Sequence, residues 1–234
     1  MSQKPVQGIS PLFLFIACLF VTCLLISNII AGKIVVLLGL TLPAAVILFP
    51  VTYIFGDVVT EVYGYHHARL IIWSGFLANL LMAAVFIITV RLPYPGFWQG
   101  QSAYQTVLGF TPRLVAASLL AYLLGEFSNS FVLSRLKLLC GGRWLWIRTI
   151  GSTLVGEALD TVVFIVLAFI GVFPLPVLAG MLLGQYLWKV SYEIAATPLT
   201  YLVVGWVKRR EGADTFDYDV NYNPFKVGES HEPV

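Results

Sequence analysis

Charge is what this sequence has least of. Only 11% of its 234 residues are Asp, Glu, Lys or Arg, against about 25% in a soluble domain. No G-x-x-x-x-G-K-[ST] run occurs, so ATP binding through a P-loop is excluded, and neither G-x-S-x-G nor H-E-x-x-H is present. Three cysteines without a C-x-x-C give neither a disulfide framework nor a structural zinc site. All three histidines fall outside the apolar runs, and His66 and His67 read as part of a short solvated loop. No metal or cofactor is expected.

What is present is hydrocarbon. The chain is 59% hydrophobic, with mean hydropathy +0.86. Apolar stretches at 11–31, 41–62, 69–91, 112–134, 150–171 and 176–205 each approach the ~20 residues a helix needs to cross a bilayer. The expected fold is therefore an all-α membrane protein, a bundle of six transmembrane helices over residues 1–210, with an acidic tail over 211–234. The last stretch is long enough to tilt or to run past the membrane face. The first is too long for an ordinary signal-peptide core and lacks an A-x-A site, so it reads as a retained helix. Numbering the sides alternately puts ten Lys and Arg on one face and three on the other, with Lys189 inside the sixth stretch. By the positive-inside rule both termini are cytoplasmic, and the net charge of +2 is a topology signal, not a nucleic-acid footprint.

The acids are distributed in the reverse of the usual way. Six lie in the tail; the others, Asp57, Glu61, Glu126, Glu157, Asp160 and Glu193, all fall within the apolar stretches. A charge in a bilayer costs roughly 2.5–3.5 kcal/mol on insertion scales unless it is neutralised or paired. A rise of ~1.5 Å per residue places Asp57, Glu126, Glu157 and Lys189 about 20 Å from the outer face, in one layer. Each sits on a polar stripe at helical spacing: Tyr53, Asp57 and Glu61; Ser118, Tyr122, Glu126 and Asn129; Thr153, Glu157, Asp160 and Phe164; Gln185, Lys189 and Glu193. "GDVVTE", "GEFSNS" and "GEALDT" repeat a glycine-acid pattern, in which the glycine admits a neighbouring helix and the acid faces the gap. Carboxylates outnumber buried cations, so a water-accessible acidic cavity is expected. Its candidate substrate-binding residues are Asn28, Tyr53, Asp57, Glu61, Glu126, Asn129, Glu157, Asp160, Gln185 and Lys189. Carboxylates, amides and aromatics suit a flat, donor-rich or cationic solute, since a carboxylate accepts two parallel N–H bonds from an amidine-like edge.

"FPVTYIFGDVVTEVYG", "SN" and "GK" near the end of the first helix, "GEFSNS", "GEALDTVVF", "GQYLWK" and the tail "NYNPF" resemble the queuosine-precursor transporter family, also called the vitamin-uptake-transporter group. The resemblance runs from about residue 20 to 226. It implies a small multi-pass protein of a prokaryotic inner (plasma) membrane that imports 7-deazaguanine bases, such as 7-cyano- and 7-aminomethyl-7-deazaguanine, for salvage into tRNA queuosine. The site residues are assigned from depth and facing, not from the resemblance.

The partners so expected are a small 7-deazaguanine and the lipid bilayer, with no nucleic acid. "GMLLG" (180–184) leaves a homo-oligomer open, packing inside the bundle being the favoured use of that face. Flux runs down a gradient, couples to an ion (Glu157 and Asp160 could share a proton) or borrows an ATPase. The alternative is a substrate-capturing subunit of an energy-coupling-factor complex for another small heterocycle or vitamin. An intramembrane aspartyl protease using Asp57 and Asp160 is disfavoured because Ile54 stands where a G-x-G-D signature needs Gly, and the chain is expected not to be an enzyme; a pure scaffold is the third class. The tail reads as extended, with folding back on the cytoplasmic face left open.

Overall fold

The computed structural model describes residues 10–37, 40–109 and 112–226. Helix α1 spans Pro11–Ile30 and opens on Ser10, whose hydroxyl accepts from the Phe13 amide at 3.0 Å, with Pro11 in the first turn where its missing N–H is harmless. An antiparallel hairpin follows, β1 (Ile34–Leu37) with β2 (Leu40–Pro43), pairing Ile34 with Pro43 and Leu37 with Leu40. A single 3-10 turn, Ala44–Ile47, leads into α2, Phe49–Tyr63. The remaining helices are α3 (Tyr65–Arg91), α4 (Gln101–Leu108), α5 (Pro112–Leu139), α6 (Leu145–Phe169) and α7 (Leu175–Glu211).

The chain is mostly helical. The stretches Pro11–Ile30, Tyr65–Arg91, Gln101–Leu139 and Leu145–Phe169 are each long and apolar enough to cross a membrane. Two of the six expected spans depart from plain helices. The stretch 41–62 is a strand, a 3-10 turn and a helix of 15 residues, about 22 Å long. Pro43 and Pro50 account for the break, because neither donates to a helix ladder. The last helix is 37 residues and contains Pro198, so at ~55 Å it outreaches a ~30 Å hydrocarbon core.

Smaller elements also differ from expectation. His66 and His67 lie in the first turn of α3, not in a loop. Gly64 makes that possible: its φ of 82° separates α2 from α3 by one residue, and a Cβ there would strike Asp217 and Thr215. The "GMLLG" face does not pack inside the bundle, since nothing lies within 4 Å of a Cβ built on Gly180 or Gly184.

The core is built mainly by α1, α2 and α3, with Ala196, Val204 and Val207 of α7 added to it. Phe13, Ile16, Phe20 and Leu24 recur at helical spacing on α1 and meet Ile54, Val58, Val59, Val62, Ile71 and Ile72. Helices α5 and α6 cross at paired glycines. A Cβ on Gly125 would stand 2.8 Å from Asp160 Cβ, and one on Gly156 would stand 2.8 Å from Asn129 Cβ and 2.9 Å from the Gly125 carbonyl. This contact sets Glu126 and Glu157, the residues after each glycine, into the same layer.

The segment after α7 is docked, not loose. Asp217 accepts from the Tyr65 amide at 3.0 Å and from Ser134 at 2.6 Å. Arg69 donates to the carbonyls of Asn221 and Asn223, and Trp73 to that of Pro224 at 2.8 Å. Tyr222 lies under the Arg135 guanidinium, 4.5 Å from ring centre to charge, and edge-on to Phe131. "NYNPF" is thus a strap across the starts of α3 and the end of α5.

Candidate functional site

Two ends of the bundle differ in kind. Where α1 and α6 finish and α5 begins, a cavity of ≈ 400 Å³ opens between α1, α3, α4, α5 and α6. Its polar groups are Asn28, Asn79, Ser118, Tyr122 and Asp160, set among Leu24, Met82, Phe164 and Phe169. Asn28 donates to Asn79 at 2.7 Å, tying α1 to α3, and Tyr122 donates to the Ile72 carbonyl at 3.0 Å. These bonds hold two amides and a phenol ring in fixed positions on an otherwise apolar wall, the composition of a small-molecule site, and the volume falls in the ~300–1,000 Å³ such sites occupy.

Below the cavity lies the buried acidic layer. Lys189 bonds Asp160 and stands 2.7 Å from Glu157; Tyr53 on α2 lies within electrostatic reach of Glu157 and Asp160. The ammonium, rather than a shared proton, therefore joins Glu157 to Asp160. Asp160 alone of the three ions lines the cavity, so two carboxylates balanced by one cation present surplus negative potential at its floor. Glu126 is 5% exposed and sits within electrostatic reach of Glu157, Asp160 and Lys189.

Deeper still, Asn129 donates to Asp57 at 2.8 Å, joining α5 to α2, and Thr60 donates to Ser130 at 3.1 Å one turn further on. Glu193 on α7 faces Asp57 electrostatically. The glycine-acid pattern has a physical use here: Gly56 gives Glu126 room, its Cβ position lying 3.4 Å from Glu126 Oε2.

The far end is a charge knot. Glu61 Oε1 meets Lys208 at 2.6 Å, Arg148 at 3.2 Å and Lys137 at 3.6 Å. Lys137 also bonds the Glu61 and Thr215 carbonyls and, at 2.5 Å, Asp214. Four helices and the strap converge there, and the bundle is closed.

Of the sequence-predicted residues, Asn28 and Asp160 thus line the cavity. Tyr53, Glu126, Glu157 and Lys189 lie beneath it around Asp160, and Asp57 and Asn129 lie deeper. Gln185 is half-buried one turn before Lys189 on α7, and Glu61 belongs to the charge knot at the other end. Asn79 was not foreseen, although it is the lone amide in an apolar run, "GFLANLLMAAV", which is the signal that could have found it.

Apolar spanning helices arranged around a largely apolar cavity with a few fixed polar groups and an acidic floor suit a membrane protein that handles a small solute. The comparisons narrow the class. Residues 43–203 match the family model described as "Putative vitamin uptake transporter", and the chain belongs to that family. It is 30% identical over 176 residues to a Bacillus subtilis (strain 168) protein named "Probable queuosine precursor transporter", covering 75% of this chain and 77% of that one. It is 34% identical over 121 residues to the Escherichia coli (strain K12) "Queuosine precursor transporter", covering 52% of each. No solved structure matches the chain significantly.

Proposed function

We propose that this protein imports queuosine precursors, 7-deazaguanine bases, across a prokaryotic inner membrane, taking them up from outside through the ≈ 400 Å³ cavity. The observation that carries the reading is the placement of Asp160 at the floor of a pocket walled by amides and aromatic rings. A guanine-like edge offers parallel N–H donors, and a carboxylate accepts them with charge-assisted strength. Phe164 and Tyr122 offer ring faces for stacking, and Asn28 and Asn79 supply both donors and acceptors for the exocyclic groups.

The distribution of basic residues supports one orientation. The closed end carries Arg69, Arg135, Lys137, Arg143, Arg148 and the Lys208–Arg210 run, and by the positive-inside rule it faces the cytoplasm, with both termini on that side. The six bundle helices α1, α2, α3, α5, α6 and α7 then cross alternately, the hairpin completing the short α2 crossing. Irregular backbone at that depth is tolerated where it is enclosed by protein or lines a cavity. Residues 1–210 act as the transport domain and 211–234 as its tail, of which the described part, to residue 226, straps over the cytoplasmic face. The conformation is outward-facing: the cavity is open at one end and the charge knot shuts the other.

The test is queuosine in tRNA from cells unable to make the precursors, expressing this chain and fed 7-cyano-7-deazaguanine. Restoration by the wild type and loss in an Asp160→Asn variant inserted at normal levels is the expected result. No queuosine from a correctly inserted wild type would overturn the substrate.

A further inference from the structure

Between the cavity floor and the charge knot lies a group of carboxylates the substrate reading does not use. Asp57 on α2, Glu126 on α5 and Glu193 on α7 are at most 5% exposed, and among the described residues none of them is in an ion pair with a cation. The surrounding charges are committed elsewhere. Lys189 holds Glu157 and Asp160. Lys137, Arg148 and Lys208 hold Glu61, one turn along α2. Facing Asp57 are Glu193 from α7, Glu126 and Asn129 from α5, and Glu61 on its own helix; Glu157 from α6 faces Glu193. At this level α1 presents Phe20 beside Gly56, and the nearest charge on α3, Arg69, is tied to the strap.

The hydrogen-bond pattern says what is missing. Asn129 donates to Asp57 Oδ1, yet among the described residues Asp57 Oδ2 and Asn129 Oδ1 are both buried without a hydrogen-bond partner, as is Glu193 Oε1. All three orphans are acceptors. A buried acceptor without a donor is destabilising, and more so when charged. A proton on Asp57 Oδ2 converts one of these orphan acceptors into a donor and removes an uncompensated charge from the membrane layer in the same step. A metal ion is the weaker occupant, since no group of three or more His, Cys, Asp or Glu among the described residues is arranged to hold one.

We propose that Asp57, Asn129 and Glu193, with Glu126 beside them, form a proton-binding site that couples import of the base to inward movement of one proton. The inference rests on the transport reading above. In the outward-facing state a proton passes from outer water to the Asp57–Glu193 pair and neutralises it. When the closed end opens, water reaches the pair, the proton leaves to the cytoplasm and the carboxylate is regenerated. Nothing else is consumed. The three helices that carry the acids also meet Glu61's knot through Glu61 on α2, Lys137 on α5 and Lys208 on α7, so loosening the knot and hydrating the acids are one movement.

The experiment uses the purified full chain in sealed vesicles holding a pH-sensitive dye, with 7-cyano-7-deazaguanine as probe and the membrane potential clamped near zero. One proton per neutral base sets the accumulation ratio at about tenfold per pH unit of inward gradient, because one unit is 1.36 kcal/mol. The expected result is that ratio, together with interior acidification when base is added without an imposed gradient. Glu193→Gln and Asp57→Asn, two variants in case one inserts poorly, should level at a ratio near one with no acidification. Wild-type uptake that levels at one and leaves interior pH unchanged overturns proton coupling while the transport reading stands. Accumulation that follows an imposed sodium gradient instead overturns the choice of proton. No movement of base above empty vesicles overturns the substrate reading, and the coupling falls with it.

Discussion

Asp57 and Glu61 lie one turn apart on α2, both almost wholly buried, and their surroundings are opposite. Glu61 meets three cations, from α5, α6 and α7. Asp57 meets one neutral amide and two further carboxylates. One turn of helix separates excess positive charge from excess negative charge. The first arrangement locks, because every helix carrying a cation must stay in place to keep its partner. The second is poised, because each carboxylate depends on a proton that water can add or remove. A transporter needs both, a gate that holds and a centre that changes charge.

Glu61→Gln should break this comparison most severely. It leaves Lys137 and Lys208 with only the half-exposed Asp214 and takes from Arg148 its carboxylate partner, and removing one partner of a buried ionic group costs about 3–5 kcal/mol. Thermal unfolding in detergent would show it as a large drop in midpoint, whereas Asp57→Asn, which keeps the bond from Asn129, should shift the midpoint little. Equal losses would mean that the two carboxylates have the same structural role.

Gly156→Ala comes next. Its new methyl would meet Asn129 Cβ and the Gly125 carbonyl, neither the end of a flexible side chain, and such overpacking costs about 1–3 kcal/mol. Because it displaces Asn129 from Asp57 and Glu157 from Lys189 together, transport should fall further than stability; the check is uptake per folded molecule. Asp217→Ala is smaller again. Asp217 caps α3 from the strap, and a lost N-cap costs about 0.5–2 kcal/mol. Limited proteolysis should then cleave the segment 218–226 faster while uptake at saturating base persists.

The smallest effect belongs to Asp214, at the exposed rim of the knot. Burial alone would raise its carboxyl, but hydrogen bonds and charge from Lys137 and Lys208 outweigh that and hold it below its ordinary 3.8. A depressed folded value means its contribution is complete above pH ~4, where the unfolded group is ionised, and fades as pH falls through the lower folded value. With a side chain 47% exposed, solvent screening limits the effect to about 0–1 kcal/mol. Asp214→Asn should flatten that small acid dependence of the unfolding midpoint and leave neutral pH almost untouched.

Much of the architecture was legible in the apolar runs. The helices at Pro11–Ile30, Tyr65–Arg91, Pro112–Leu139 and Leu145–Phe169 cover the runs that predicted them, because unbroken hydrocarbon has one stable backbone in lipid. The β1–β2 hairpin was hidden inside such a run: hydropathy does not distinguish a strand from a helix, and only Pro43 and Pro50 hinted at it. The strap was hidden for the opposite reason. "NYNPF" is polar and short, and its order comes from Arg69, Trp73 and Arg135, more than 80 residues away. Depth along each helix placed Asp57, Glu126, Glu157 and Lys189 in one layer; Glu126, Glu157 and Lys189 do gather around Asp160, while Asp57 lies deeper, against Asn129. Depth could not divide Glu61 from Asp57, since the cations that claim Glu61 come from helix ends whose length the runs underestimated. Lys137 and Arg148 were expected in a loop and lie within α5 and α6.

The central claim is that a base binds from outside in the cavity above Asp160. Its most direct test places one cysteine there, Ser118→Cys, in a chain whose Cys18, Cys23 and Cys140 are replaced by alanine. Intact cells are then treated with a membrane-impermeant maleimide, with and without saturating 7-cyano-7-deazaguanine. The account predicts labelling from outside that the base suppresses. Labelling only after permeabilisation, or labelling that the base leaves unchanged, would contradict it.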